Sequence, residues 1–407
     1  MLAVVAFALA LQAETITEVR VHGNATMTDA AIIQLAGVTV GATLDAGGID
    51  AVERRLRESG RFDEVQVRKR YRTLAMDQAS IVIVVHERPG VTATGEPPGM
   101  ARRIRNHLMF FPIFHYDDGY GWTYGGRTSV VDVAGKGTRL SVPLSWGATR
   151  RAALEADRTF TSGPFTRVSG SVGIAQRENP HYSIDDRRET VDGRVERRLF
   201  RSLVLGAGAS RTRVRFAPLE ESFWSPAADV TLDTRRDPRF PSDAILAAVA
   251  WSRLNPAAGA SFVSAIDRYG LDLRGYKRLF RQTVLAVRAE YDTASSALPV
   301  YEQWLLGGSN LRGSDAGAYA GDKRLIWSAE VRVPFSSPLH TGRTGFNVFV
   351  DGGATARIGE RVTDRPQRRG VGAGLWLTAA VISLNANIAH SLDGSGTRFQ
   401  FGTGFTF

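Results

Sequence analysis

Residues 322–335, with the sequence DKRLIWSAEVRVPF, alternate between apolar and polar side chains. Such alternation is typical of a β-strand, because successive side chains point to opposite faces of a sheet. The polar face carries charge at Arg324, Glu330 and Arg332. The apolar face consists of Leu325, Trp327, Ala329, Val331, Val333 and Phe335. The stretch therefore predicts a strand between an apolar environment and a charged one.

The same pattern recurs at residues 282–292 and 380–390, and the last strand, 397–407, has four phenylalanines on one face with Gly, Gln and Thr on the other. Charged faces in strand after strand do not fit the core of a soluble sandwich, whose strands are also shorter, about five or six residues. A transmembrane barrel requires this pattern, because lipid contacts its outer face and cannot hydrogen-bond a sheet edge.

We therefore predict a transmembrane β-barrel over residues 101–407, with sixteen antiparallel strands, an even number as single-chain barrels have. A loop at 295–321 is predicted to fold back into it, and residues 90–100, rich in Gly and Pro, are predicted to be a linker. The predicted strands are 106–116, 120–132, 138–147, 150–160, 165–177, 189–200, 203–216, 224–235, 243–254, 262–279, 282–293, 322–335, 344–355, 369–378, 380–391 and 397–407.

The N-terminal part of the chain has a different pattern. Residues 1–13 (MLAVVAFALALQA) are apolar and end in small residues, which predicts a secretory signal peptide. Residues 15–89 then predict a compact α/β domain in the order β-α-α-β-β. Its first strand stops at the turn signal of residues 23–24 (GN), and its second helix, about 46–59, carries its apolar residues on one face.

Composition excludes several function classes. The chain has no cysteine, so disulfides and thiolate metal sites cannot form, and its seven histidines show no metal-ligand spacing. Gly370, Gly372 and Gly374 lie on a predicted strand and not in a dinucleotide-binding loop. Residues 307–311 (GGSNL) lack the last glycine of a nucleophile elbow. We predict no enzyme, no cofactor and no metal.

The net charge of +10, carried mostly by arginine, left nucleic acid as a possible partner. The arginines, however, alternate with apolar residues along strands and form no basic stripe. This distribution fits an arginine-lined interior or a surface that faces anionic lipid headgroups, and we predict no nucleic-acid partner.

Residues 15–89 resemble a POTRA domain, because Gly60, Phe62 and Val65 match the G-x-F-x-x-V turn into its second strand. Residues 311–314 (LRGS) resemble the (V/L)-R-G-(Y/F) signature on the sixth extracellular loop of BamA/TamA-type outer-membrane proteins, with Ser314 in place of the aromatic residue. Residues 349–353 (FVDGG) resemble their F-x-D-x-G strand motif. These matches are carried by Leu311, Arg312, Gly313, Gly317, Phe349, Asp351 and Gly353.

Residues 232–241 (LDTRRDPRFP) resemble the D-T-R-x-x-P-x-x-P segment of the same family through Asp233, Arg235, Pro238 and Pro241, and Phe407 fits its C-terminal aromatic residue. The resemblance implies a bacterial outer-membrane protein with a periplasmic POTRA domain. Its function would be to insert outer-membrane proteins or to translocate polypeptides without a cofactor. The implied partners are unfolded or partly folded polypeptide clients, outer-membrane lipids including lipopolysaccharide, and periplasmic accessory proteins.

Two site hypotheses follow. Arg312 would reach into the barrel and pair with Asp351, which alternation turns inward, with Glu330 as a second partner and Gly313 letting the loop approach the wall; the alternative is that Arg312 is solvated. The seam between the first and last strands would be weakened by Pro112, Gly402 and Gly404 and would act as a lateral gate closed beside Phe407. Ordinary barrel curvature remains the alternative for these glycines.

A different function class also remains open, namely a passive channel or lipid-handling barrel whose POTRA domain docks periplasmic partners. Conductance in bilayers, compared with the fate of a client after gene deletion, would separate this class from a polypeptide-handling factor.

Overall fold

The computed structural model describes residues 14–45, 47–71, 78–88, 91, 108–132, 134–336, 342–379, 382–394 and 396–403. The predicted signal peptide, all of the predicted linker except Val91, and two of the seam residues, Gly404 and Phe407, lie outside the described residues. The chain divides into two compact units after Leu108. Within the described ranges, no helix has the length and apolar character of a membrane-spanning helix.

The N-terminal unit contains a four-stranded sheet and two helices. Its strands lie in the order β2-β1-β4-β3, with β1 parallel to β4, and the two-residue β2 is an addition to the predicted β-α-α-β-β order. The elements are β1 (Glu14–His22), α1 (Asp29–Ala36), β2 (Thr43–Leu44), α2 (Gly48–Glu58), β3 (Phe62–Tyr71) and β4 (Gln78–Glu87).

Local sequence explains the ends of α1. The Thr28 hydroxyl accepts a hydrogen bond from the backbone N–H of Ala31 (3.3 Å), and Gly37 ends the helix with φ +64°. Both helices pack their apolar faces on the sheet, where the buried core includes Ile32, Leu56, Phe62, Val65, Ile81 and Ile83. Across the sheet, hydrogen bonds from Lys69 and Tyr71 lower the pKa of the Glu14 carboxyl below its ordinary value.

The C-terminal unit is a nearly closed barrel of sixteen antiparallel strands, which confirms the predicted number and class. Two short strands, β16 (Trp304–Leu306) and β17 (Tyr319–Gly321), pair with each other inside the long loop. The barrel strands are β5 (Leu108–Asp117), β6 (Gly121–Val131), β7 (Thr138–Gly147), β8 (Arg150–Thr159), β9 (Arg167–Asn179), β10 (Ile184–Arg198), β11 (Leu203–Phe216), β12 (Leu219–Asp233), β13 (Ala244–Pro256), β14 (Ile266–Arg278), β15 (Val284–Ala294), β18 (Lys323–Ser336), β19 (Gly342–Ala356), β20 (Arg368–Ala379), β21 (Ile382–Ser391) and β22 (Thr397–Thr403).

Strand register separates the two faces of the wall. Trp327 of β18 lies opposite Ala289 and Gly352, and directly opposed residues share a face. Exposed apolar side chains such as Val249, Val287 and Val348 occupy the outer face, as lipid requires. Charged and amide side chains occupy the inner face.

Because neighbouring strands are antiparallel, the connections alternate between two ends of the barrel. We call the end at which β5 begins and β22 ends the base, and the opposite end the rim. The loop between β15 and β18 therefore lies at the rim, whereas the D-T-R segment between β12 and β13 lies at the base. In the described part of the chain, the sheet order ends at β5 and β22, so that the seam lies between these two strands.

Candidate functional site

The long loop enters the barrel from the rim and is held first near its start. A single 3₁₀ turn, Val300–Glu302, packs Tyr301 against Phe216 and Phe223. The Tyr301 hydroxyl donates to Glu221 Oε2 at 2.5 Å, and Arg188 Nη1 donates to Glu302 Oε1 at 2.7 Å. These contacts join the first part of the loop to the strands on one side of the lumen.

The loop tip, residues 307–318, is a compact turn closed by its own backbone. Gly308 N–H donates to the carbonyl of Ser314 at 3.1 Å, and Ser314 N–H donates to the carbonyl of Leu311 at 3.3 Å. Leu311 is fully buried against Leu306 and Ile326. The tip thus presents Arg312 toward the wall formed by β18 and β19.

Arg312 makes a bidentate ion pair with Asp351 of β19. Its Nε lies 2.6 Å from Oδ2 and its Nη2 lies 2.8 Å from Oδ1, while the backbone N–H of Arg312 donates to Oδ2 at 3.1 Å. Two parallel bonds fix the orientation of a guanidinium as well as its position. The structure therefore brings together the two residues that the sequence predicted to pair.

Glu330 extends this pair into a buried cluster. It accepts a hydrogen bond from Arg312 Nη1 at 2.6 Å and one from Arg332 Nε at 2.8 Å. Ser328 donates to Asp351 Oδ1 at 2.6 Å. Two arginines thus face two carboxylates, and none of these four charged residues is more than 2% exposed. Burial of this extent requires the charges to be paired, because isolated charges lose too much hydration.

An aromatic ring covers the guanidinium. The Arg312 Cζ atom lies 3.3 Å from the ring centroid of Phe349, which places a cation over the negative face of the ring. From the sequence, Phe349 was recognisable only as a motif residue, and this contact was not predicted. Arg332 and Ser328 were not predicted as partners in the cluster either, although both lie on the inward face of β18.

Glycines make room for the tip. A Cβ at Gly370 of β20 would collide with the carbonyl oxygen of Arg312, and one at Gly372 would lie 2.6 Å from the Phe349 ring. Gly313 has φ +93° and passes close to the backbone at Ser391, as predicted for a loop approaching the wall. Alternating glycines at inward positions of β20 were the available signal for this close approach.

Comparison with known proteins fits these observations. The profile of the Omp85 superfamily domain matches residues 220–407, and the POTRA profile of the surface antigen variable number repeat matches residues 14–88. The chain carries a POTRA domain followed by an Omp85 superfamily domain. No curated protein sequence matches the chain.

Solved structures resemble this fold at low sequence identity. BamA from Haemophilus ducreyi lacking POTRA domains 1–3 is 16% identical with a TM-score of 0.63, covering 96% of this chain and 84% of that one. CdiB from Escherichia coli is 14% identical with a TM-score of 0.53, covering 99% and 92%. At these identities the likeness shows the shared fold.

Other predicted residues of the Omp85 domain lie apart from the Arg312 cluster. Gly317 has φ +62° and contacts the turn at Pro180. Gly353 of β19 lies against the Leu306 side chain of the loop. The D-T-R segment lies at the base, where Arg235 donates to both Asp233 oxygens at 2.9 Å. Within that segment Pro238 is exposed and Pro241 is buried.

The predicted seam residues Pro112 and Gly402 lie on β5 and β22, the two terminal strands of the sheet order. Side chains connect the two: His115 of β5 hydrogen-bonds Thr403 of β22, and Gln400 Nε2 of β22 donates to Asp118 Oδ2, one residue beyond the end of β5, at 2.8 Å. Pro112 has no N–H to donate, so an edge position suits it.

Among the described residues, no three His, Asp or Glu side chains lie close enough together to hold a metal ion.

Proposed function

We propose that this protein inserts polypeptides into the bacterial outer membrane or moves them across it, without ATP or a cofactor. The presence of a POTRA domain followed in the chain by an Omp85 domain supports a role in insertion or translocation. The observation that carries the proposal is the loop anchored inside the lumen by Arg312, Asp351 and Glu330.

The anchor is proposed to position the loop more than to stabilise the barrel. Burying two arginines and two carboxylates sacrifices most of their hydration, and a buried ion cluster often gives little net stability compared with apolar residues of the same volume. It does give a unique geometry, because the bidentate contact to Asp351 accepts one orientation of Arg312. A loop fixed in this way would present the same surface to each polypeptide that passes.

The seam is proposed as the place where a client strand pairs. Its terminal strands are joined by side-chain contacts, and Tyr116 of β5 lies 5.7 Å from Phe401 of β22, ring centroid to ring centroid. A strand edge that is held by side chains is easier to open than a full backbone ladder, and an opened edge can accept another strand. Pro112 leaves one backbone position of β5 without a donor.

We propose that the POTRA domain lies in the periplasm and takes clients or accessory proteins at the free edge of β3. Among the described residues, this ten-residue strand ends the sheet order and pairs only with β4. A free edge of this length can add an extended segment through backbone hydrogen bonds.

Anionic headgroups of the outer leaflet, including lipopolysaccharide, are the lipid partners that we propose. On the outer face of β11, Arg211 lies opposite Trp224 of β12, and Arg213 is exposed two residues closer to the rim. An interfacial tryptophan beside arginines suits the boundary between hydrocarbon and phosphate.

The experiment that tests the function compares cells lacking the gene with cells that carry it back as wild type, as Arg312→Ala or as Arg194→Ala. We expect Arg312→Ala to lower client assembly or secretion while the barrel still forms, as judged by its heat-modifiable gel mobility. Arg194→Ala is the matched control, because Arg194 also forms ion pairs in the lumen but its partners, Asp229 and Glu196, lie on the wall strands β12 and β10. An Arg312→Ala protein with full activity would contradict the proposed role of the anchor.

The gene deletion also separates the two function classes. If no outer-membrane or secreted protein changes in amount, and the purified wild type conducts steadily in planar bilayers, the protein is a passive channel.

A further inference from the structure

The turn between β12 and β13 sends an aromatic side chain into the lumen at the base. Phe240 lies on this connection, residues 234–243, yet it is only 6% exposed. It packs in one buried cluster with Tyr276 of β14, Ala286 of β15 and Trp376 of β20. Four strands, β14, β15, β18 and β19, separate β13 from β20 in the sheet. The turn therefore crosses the inner face of these four strands at the base of the barrel.

Other aromatic residues at the base behave differently. Phe165, Phe200 and Phe280 lie on or beside neighbouring connections at the same end, and they are 43%, 69% and 68% exposed. Exposed aromatic residues at this level are expected at a membrane surface, where the ring meets the headgroups. Phe240 is buried inside instead, which calls for a separate explanation.

The site that receives Phe240 is built for a large ring. The ring centroids of Phe240 and Trp376 lie 5.2 Å apart, and Trp376 Nε1 donates to the carbonyl of Phe346 at 3.2 Å. Trp376 lies opposite Gly345 of β19, where any Cβ would overlap the indole ring. The glycine thus allows the indole to lie across β19 and to form one side of the Phe240 site.

Polar contacts hold the same turn. At its tip, Arg343 Nη1 of β19 lies 3.9 Å from Asp237 Oδ2, and the Arg343 guanidinium lies 5.3 Å from the Phe240 ring centroid. At its start, Arg235 is bidentate to Asp233, and Thr234 exchanges hydrogen bonds with the backbone of Ile245. The tip contact is exposed and long, so it is weak and readily broken. The turn is therefore fixed at its start by hydrogen bonds, and further along the Phe240 ring packs against Trp376 and Tyr276.

The lid contacts the loop anchor through two residues. Tyr276, which packs against Phe240, has its ring centroid 6.0 Å from Arg332 Cζ. Arg332 in turn donates to Glu330, the second carboxylate of the Arg312 cluster. A displacement of Phe240 would change the packing around Tyr276 and hence the support of Glu330.

We propose that residues 234–243 form an inner lid, which covers part of the lumen at the base and moves aside when a polypeptide passes. The passage of a polypeptide rests on the function proposed above, whereas the covering of the lumen does not. The two parts are tested by separate measurements.

Conductance tests the covering alone. In planar bilayers, full-length Phe240→Ala is expected to show a higher mean conductance than the wild type, because removing the ring leaves an opening beside Trp376. Phe280→Ala is the matched control at the same end and is expected to conduct like the wild type. Phe240→Leu retains bulk at the site and is expected to restore most of the closure. Equal conductance of Phe240→Ala, Phe280→Ala and wild type, all with heat-modifiable barrels, would overturn the lid.

Cross-linking tests the movement. The natural chain has no cysteine, so a pair introduced as Asp237→Cys and Arg343→Cys provides the only thiols. After treatment with a short bis-methanethiosulfonate cross-linker, which forms a disulfide with each cysteine and releases methanesulfinate, cells are expected to lose client assembly or secretion and to regain it when a reducing agent breaks these disulfides. Each single-cysteine variant with the same reagent is the control and is expected to stay active. A cross-linked pair that remains fully active would show that the turn does not move. If the wild type itself handles no client, the proposed function fails while the conductance result still decides whether the lumen is covered.

Discussion

Two sides of the barrel lumen use the same chemistry in different surroundings. On one side, Arg194 of β10 pairs with Asp229 of β12 at 2.5 Å, and their side chains are 34% and 20% exposed. On the other side, Arg312 pairs with Asp351 at 2.6 Å, and their side chains are 3% and 1% exposed. The residue types and the distances are nearly the same, so burial is what distinguishes the two pairs.

The cause of this difference is the loop tip. The tip brings Arg312 under the Phe349 ring and buries the neighbouring Leu311, whereas the side chains of Arg194 and Asp229 retain contact with solvent. An ion pair that remains hydrated is screened and adds about 0–1 kcal/mol. Removing one partner of a buried pair costs about 3–5 kcal/mol, because the other charge is left without hydration. The exposed pairs therefore line the lumen, and the buried cluster fixes the loop.

The largest effect is expected from Glu330→Ala. This change leaves two buried arginines, Arg312 and Arg332, with Asp351 as the one remaining carboxylate of the cluster. The free energy of unfolding should therefore fall by about 3–5 kcal/mol. Urea titration of the refolded protein, followed by tryptophan fluorescence and by heat-modifiable gel mobility, measures it. A loss no larger than that of an exposed lumen pair would show that burial does not control the strength of the cluster.

An intermediate effect is expected from Gly370→Ala. The added methyl group meets the carbonyl oxygen of Arg312, and overpacking of this kind typically costs about 1–3 kcal/mol. We expect the tip to shift away from the wall, which protease cleavage within residues 307–318 would detect.

Gly193→Ala is the matched control for that change. Gly193 also lies within a strand, β10, and a Cβ there meets no atom within 4 Å. It should leave both stability and cleavage close to those of the wild type. Equal cleavage of the two variants would mean that contact with Gly370 does not hold the tip.

Alternation was sufficient to predict the barrel, because lipid outside and water inside impose a period of two on every strand. It was less accurate at strand ends. The predicted strand at 189–200 begins at Ile184, and the one at 224–235 begins at Leu219. In both, the added residues lie toward the rim and include charged side chains, four of five at 184–188 and two of five at 219–223. A hairpin can continue its backbone ladder beyond the hydrocarbon without apolar side chains.

The candidate site was predictable in part. The pairing of Arg312 with Asp351 followed from the family resemblance together with the inward direction of Asp351. The contact with Phe349 and the room made by Gly370 did not follow, because both depend on how closely the loop approaches strands far away in sequence. The inward position of Phe240 was equally hidden, since a base turn with Pro and Asp predicts an exposed connection.

The smallest effect is expected from Asp229→Ala on the exposed side of the lumen. Arg194 keeps Glu196 as a partner at 3.0 Å and keeps its hydration, so the loss should stay below about 1 kcal/mol. High salt sharpens the comparison, because at 1 M the screening length is about 3 Å and the contribution of an exposed pair should vanish. The loss in the free energy of unfolding caused by Glu330→Ala should persist at 1 M salt, since water and salt do not reach that buried cluster. If salt reduced the stability losses of Asp229→Ala and Glu330→Ala equally, the Arg312 cluster would be hydrated in solution. The loop would then not be fixed by an ion pair that excludes water.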